Sequence, residues 1–116
     1  MIKIKRVYDS ADKQDGYRVL VDRLWPRGLS KENVSVDLWL KEVAPSSTLR
    51  KWFDHDPEKW ETFQAKYTAE LRSNDEAVNR LRKVMREHRT ITLIYGAKDK
   101  AHNQAIVLRE FLLSQR

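Results

Sequence analysis

The chain has 116 residues, a size that fits one folded domain with its own core. It has no cysteine, which excludes disulfides, thiolate nucleophiles and cysteine-ligated zinc, and which fits a reducing compartment. The formal net charge of +6 favours phosphate-bearing partners, although charges spread along the chain also suit a merely solvated basic surface. No long apolar run follows the basic residues after Met1, so we expect no signal peptide, no membrane span and a cytoplasmic location.

Three segments have the pattern of β-strands. Residues 2–7 alternate apolar and basic side chains, which is the period of a strand with one solvent-exposed face. Residues 17–24 are rich in β-forming residues and follow the turn signal Asp15-Gly16. Residues 90–95 form a short β-branched run that ends at a glycine, which suits a strand buried on both faces.

Two short helices are predicted after the second strand. The closely spaced apolar side chains of residues 36–43 predict a short helix, which Pro45 ends. Ser46 or Ser47 then provides an N-cap for a second short helix that includes Phe53.

Three longer helices are predicted further along the chain. Asp56, followed by proline, is a typical helix start. Asn74 or Asp75 opens the next helix, and Asp99 is expected to cap the last one, with apolar residues between 101 and 112.

This order of elements predicts an α/β fold: a small, mostly parallel sheet of about three strands with packing helices, in a single domain over 1–116. In such sheets, ligands bind outside the carboxyl ends of the strands. The segments that follow the second and third strands are therefore the places to look for a site.

The segment after the second strand carries unusual side chains. Alternation along the strand puts Asp22 and Arg23 on opposite faces. Arg23 and Arg27 suit bidentate capture of a carboxylate or phosphate, and Gly28 allows a positive φ or a close backbone approach. In the alternative interpretation, the arginines pair with nearby carboxylates and Trp25 seals the core. Asp22 is the carboxylate here that suits a nucleophile or general base.

The segment after the third strand has the form of an anion site. Tyr95 and Gly96 lead into a predicted helix start, whose free N–H groups and dipole favour negative charge. Lys98 adds a cation, Asn103 lies in the same segment, and His102 is a candidate donor, acid or base. The alternative is an ordinary capped helix. If the two strands are neighbours, the cationic side chains of both segments converge on one anion.

His55 lies in a turn between two aspartates, and its role stays open. Three adjacent residues lack the spacing of a metal site, so no metal site is predicted, and helix capping by Asp56 is the simpler interpretation. There is no Gly-x-Ser-x-Gly motif, and the sequence identifies no cofactor.

Four stretches carry a family resemblance in the same order along the chain: VDRLWPRGLSK (21–31), LWLKEVAPS (38–46), LRKWFDHDP (49–57) and LIYGAKDKAHN (93–103). They resemble the YeaO-like branch of the domain-of-unknown-function 488 family. The resemblance implies a small bacterial α/β protein without an established activity. Its signature residues correspond here to Asp22, Arg23, Trp25, Pro26, Arg27, Gly28, His55, Tyr95, Gly96, His102 and Asn103.

Broader relatives resemble proteins with a Cys-His-Arg run near the last helix start. This chain has Ala-His-Asn there, so thiol chemistry does not carry over.

The leading hypothesis is that the protein binds a small phosphate- or carboxylate-bearing ligand in a basic pocket at the carboxyl ends of the strands. Whether it is also an enzyme stays open, as does its oligomeric state. The alternative is a nucleic-acid-binding or protein-interaction module without catalysis. The candidate catalytic residues are Asp22 and His102, and the candidate ligand-binding residues are Arg23, Trp25, Arg27, Gly28, Tyr95, Gly96, Lys98 and Asn103.

Overall fold

In the computed structural model, which describes residues 1–114, four parallel strands form one sheet with four α-helices and three short 3-10 turns. In chain order the elements are β1 (Ile2–Arg6), β2 (Tyr17–Leu20), β3 (Leu38–Trp39), α1 (Ser47–Phe53), α2 (Trp60–Arg72), α3 (Asp75–Glu87), β4 (Ile91–Tyr95) and α4 (Gln104–Ser114), with 3-10 turns at Lys13–Asp15, Lys41–Val43 and Pro57–Lys59. The α/β prediction is confirmed, with one strand more than expected and a fully parallel sheet.

The strand order is β1-β4-β2-β3, so β4 pairs with β1 on one side and with β2 on the other. Ile91 is level with Ile2 of β1 and with Tyr17 of β2. All five residues of β4 are buried, as predicted for a β-branched run covered on both faces. The carboxyl ends of β2 and β4 therefore lie next to each other.

The two faces of the sheet are covered differently. Val19 and Leu93 belong to a large core cluster that contains the buried side chains of all four helices. Leu20 and Ile94 point to the other face and form a smaller cluster. The segment between β2 and β3 covers this smaller cluster with partly buried apolar side chains, including Trp25.

The predicted helix over residues 36–43 is wrong. Val19 pairs with Leu38 and Leu20 pairs with Trp39, so the apolar run forms a short edge strand. Only residues 41–43 are helical, as one 3-10 turn. A short apolar run fits either structure locally, and the parallel partner that decides between them lies far away in sequence.

The second strand ends earlier than predicted, at Leu20 instead of residue 24. The Val21 N–H still donates to the Ile94 oxygen at 3.0 Å, after which the chain leaves the ladder. The expectation that Asp22 and Arg23 lie on opposite faces of a strand is therefore wrong, because neither residue is in a strand.

Helix starts agree with their sequence signals, except at α4. Ser46 Oγ accepts the Leu49 N–H at 3.1 Å and caps α1, as predicted. Asp56 caps the 3-10 turn that leads into α2. Asp99 instead closes a turn, and α4 starts only at Gln104.

Asn103 stands at the true start of α4, where its Oδ1 accepts the Ile106 N–H at 3.2 Å. None of the helices within residues 1–114 is long and apolar enough to cross a membrane.

Candidate functional site

A cleft of about 410 Å³ opens at the carboxyl ends of the strands. Residues that follow each of the four strands line it: Tyr8, Asp22, Ala44 and Gly96. Its volume lies in the usual range for small-molecule sites. The position agrees with the general rule for parallel sheets.

Asp22 is half-buried and its carboxylate is held from two sides. Oδ2 accepts the Gly96 N–H at 2.9 Å, and Oδ1 accepts the side-chain amide of Gln104. Burial raises the pKa of Asp22 to about 6, against the opposing effects of both hydrogen bonds and of the nearby His55. A Cβ on residue 96 would lie 2.7 Å from Oδ2, so any larger residue there would displace the carboxylate from this position.

Arg23 is fixed by backbone oxygens. Its Nε donates to the Pro45 oxygen at 3.0 Å, and a terminal nitrogen donates to the Ala44 oxygen at 3.1 Å. A guanidinium group has five N–H donors, so donors remain for a ligand. The bonds hold the group in one orientation beside the cleft.

Arg27 and Arg50 line the same cleft and are exposed. Within residues 1–114, neither they nor Arg23 forms a salt bridge. The alternative in which the arginines pair with nearby carboxylates is thus not what the structure shows. Asp37, one candidate partner, accepts the backbone N–H of Arg18 instead.

His102 is held by two neighbours at the rim of the cleft. Its Nδ1 lies 2.8 Å from Asp99 Oδ2, and its ring packs edge-on against Trp60 with 5.3 Å between centroids. The imidazole hydrogen bond lowers the pKa of the Asp99 carboxyl. With Nδ1 engaged, Nε2 is the ring nitrogen left to contact a ligand.

His55 enters the cleft from an unusual turn after α1. Both Asp54 (φ 45°) and His55 (φ 56°) have left-handed backbone conformations. Such conformations cost about 1–3 kcal/mol each for non-glycine residues. A turn with glycine at position 55 would avoid part of this cost, so the histidine itself is the feature to explain.

Aromatic side chains form the apolar part of the cleft. Phe53 and Phe63 are buried and stack with their centroids 4.2 Å apart. Trp25 lines the cleft while its Nε1 donates to the Leu29 oxygen at 2.7 Å and its ring meets Trp39 edge-on. Trp25 therefore also closes the smaller core cluster.

Seven of the ten candidate site residues line this one cleft: Asp22, Arg23, Trp25, Arg27, Gly96, His102 and Asn103. Three others do not line it. Gly28 has a positive φ of 78° with no atom near its missing Cβ, Tyr95 is buried, and Lys98 is exposed outside the cleft.

The predicted helix start at residues 98–103 is wrong, because α4 begins only at Gln104, and anion binding by this segment stays a prediction. These residues form a turn ahead of α4, and Asp99 Oδ1 accepts the N–H groups of Ala101 and His102. Asn103 Oδ1 accepts the Ile106 N–H at the start of α4. The N–H groups of Ala101, His102 and Ile106 therefore already have acceptors within the protein.

Sequence reasoning missed Tyr8, Arg50 and Gln104 as cleft residues, and it left His55 open. Only the aspartate pair around His55 and its place in the family signature marked that residue. Within the described residues 1–114, no group of three or more histidine or acidic side chains is placed to hold a metal ion.

Comparison with known proteins identifies the family. The family model described as "Inactive DUF488-N3 subclade" matches residues 1–116. The chain belongs to this family. This DUF488 member is 44% identical over 113 residues to the uncharacterized protein YeaO of Escherichia coli (strain K12), with 97% of each chain covered.

The uncharacterized protein Rv3073c of Mycobacterium tuberculosis (strain ATCC 25618 / H37Rv) is 39% identical over 111 residues, covering 96% of this chain and 92% of the relative. No solved structure matches this DUF488 chain. The resemblance drawn from the sequence motifs is confirmed.

Proposed function

We propose that this protein binds a small phosphate- or carboxylate-bearing molecule in the cleft at the carboxyl ends of its strands. The observation that carries the proposal is the set of three arginines, Arg23, Arg27 and Arg50, which line one cleft without an acidic partner among residues 1–114. Guanidinium groups match the geometry of carboxylate and phosphate oxygens.

Each arginine contributes differently. Arg23 is held in place by the Ala44 and Pro45 oxygens, so it loses little freedom when a ligand binds. Arg27 and Arg50 are exposed and free to close over the anion. His102, oriented by Asp99, supplies a further donor at the rim.

Binding without turnover is the form of the proposal that the family description favours, since the subclade is described as inactive. The catalytic roles predicted for Asp22 and His102 stay predictions. A protein-interaction role would be marked by exposed Trp25 or Trp39, yet both rings are half-buried in the smaller core cluster.

Calorimetric titration with inorganic phosphate, ethyl phosphate and 3-phenylpropanoate tests the proposal. Arg27→Gln and Arg50→Gln remove exposed charges, so the fold should be unaffected. We expect each variant to weaken anion binding by about tenfold, the usual effect of losing a charge-assisted hydrogen bond. Arg86→Gln, which removes an exposed charge from α3 away from the cleft residues, is the matched control and should bind as the wild type does.

Equal affinities for wild type, Arg27→Gln and Arg50→Gln would contradict the proposal. A short single-stranded oligonucleotide serves as a further arm. If it binds while no small anion does, and if salt weakens the binding steeply, the protein is a nucleic-acid-binding module instead.

A further inference from the structure

Asp22 is out of place in an anion site. It is the only acidic side chain among the described residues that line the cleft, where three arginines and two histidines also lie. A bound phosphate or carboxylate would be repelled by an ionised carboxylate. The presence of Asp22 therefore needs an explanation that a simple anion does not give.

The carboxylate is held rigidly but is not neutralised. Its two hydrogen-bond donors, the Gly96 N–H and the Gln104 amide, carry no charge. In the described part of the chain, no lysine, arginine or histidine lies within salt-bridge distance of it. Each carboxylate oxygen accepts more than one hydrogen bond, so both retain capacity for a further donor.

Two residues elsewhere in the chain hold the Asp22 carboxylate in place. Glycine at position 96 leaves room for Oδ2, and Gln104 places its amide on Oδ1 from the first turn of α4. Burial meanwhile disfavours the ionised form and raises the pKa. Asp22 is thus held from two sides beside an open cleft, and its burial costs stability. This combination is typical of a ligand contact.

We infer that the ligand of this cleft is bipolar: its acidic group lies against the arginines and its ammonium group lies against Asp22. The inference rests on the proposed function and specifies its ligand class. The ammonium group neutralises the carboxylate that the protein leaves unpaired, and the stacked rings of Phe53 and Phe63 accommodate the apolar part of the molecule.

Matched probe pairs that differ in one amino group test the inference. The pairs are O-phosphoethanolamine with ethyl phosphate, and phenylalanine with 3-phenylpropanoate, each titrated calorimetrically into the wild type. We expect the amine-bearing member of at least one pair to bind about tenfold or more tightly than its partner, as a charge-assisted contact would give.

Asp22→Asn is the decisive variant, because it keeps the shape of the side chain and removes its charge. We expect it to lose the preference for the amine while binding the amine-free anion at least as tightly as the wild type. Asp9→Asn, an exposed acid outside the cleft, is the control and should keep the preference. Gln104→Ala leaves the charge but removes one of its holders, so the preference should fall by a smaller factor.

The outcomes separate the two proposals. If amine-free anions bind with the expected dependence on Arg27, but the amine adds nothing or weakens binding, the bipolar ligand is wrong and the anion site stands. A preference for the amine that survives in Asp22→Asn also overturns the inference. If no probe binds to the wild type, both proposals fail.

Discussion

A carboxylate lies at each end of β2, and the two differ in whether the fold places a positive charge beside them. At the amino end of β2, Asp15 is buried and lies in salt bridges with Lys5 and Arg18. At the carboxyl end, Asp22 faces an open cleft and has only neutral hydrogen-bond donors. One carboxylate has cations supplied by the fold, and the other does not.

The pKa values of the two carboxyls follow from these surroundings. Burial alone would raise the pKa of Asp15, but hydrogen bonds from Lys5, Asp12 and Arg18 hold it below its ordinary value. Burial of Asp22 outweighs its two neutral hydrogen bonds and the nearby His55, and raises its pKa to about 6. Asp15 therefore has the surroundings of a structural ion pair, and Asp22 is the group that we propose contacts a ligand.

Replacing Asp15 gives the largest expected effect. Asp15→Asn leaves the buried Arg18 guanidinium without a counter-charge, so we expect a loss of about 3–5 kcal/mol in the free energy of unfolding. Urea denaturation at pH 7 measures it. Asp9→Asn breaks only a 3.9 Å surface pair with Lys100 and should change stability by less than about 1 kcal/mol. A tolerated Asp15→Asn would remove the contrast between the two ends.

The same substitution at the other end should act with the opposite sign. The folded-state pKa of Asp22, about 6, exceeds its ordinary value of 3.8, so the folded protein binds more protons than the unfolded chain between these pH values. Wild-type stability therefore rises as the pH falls through that window. Asp22→Asn should be more stable than the wild type by up to about 3 kcal/mol at pH 8, and this gain should vanish near pH 4.

Urea denaturation of both proteins from pH 4 to pH 8 measures the difference. If Asp22→Asn is less stable than the wild type at pH 8, the carboxylate is a structural group like Asp15.

Substitutions of His55, at the carboxyl end of the sheet, should have a smaller effect on stability. Because its φ of 56° suits glycine, His55→Gly should be about 1 kcal/mol more stable than His55→Ala in thermal unfolding. Both variants lack the imidazole, so both should weaken binding of the anionic probes to the same extent. Unchanged binding in both would show that the strained turn has a purely structural role.

Local sequence patterns predicted the elements well where the decisive contacts are local. Ser46 caps α1 through a hydrogen bond to a residue three positions away, and the β-branched run before Gly96 is the buried central strand. The pattern failed at Leu38 and Trp39, whose partners in β2 lie about twenty residues earlier. It also failed at Asp99, because Asn103 offers a second capping side chain closer to α4.

The candidate site was partly accessible from sequence for a similar reason. Asp22 and Gly96 were found because they follow strands, and the pairing of β2 with β4 brings them together. Arg50 and Gln104 were not found, because each lies on a helix whose orientation toward the cleft depends on tertiary packing. Helical residues with ordinary polar side chains carry no local mark of such a role.

A carbon-detected NMR titration of the Asp22 carboxyl group, in the free protein and with a saturating amine-bearing probe, shows whether this carboxylate pairs with a ligand. We predict that the free protein titrates near pH 6 and that the bound probe lowers this pKa, since an ammonium group favours the ionised carboxylate. An Asp22 carboxyl that titrates at its ordinary value, with no response to any bound probe, would contradict the claim that this carboxylate is held unpaired for a ligand.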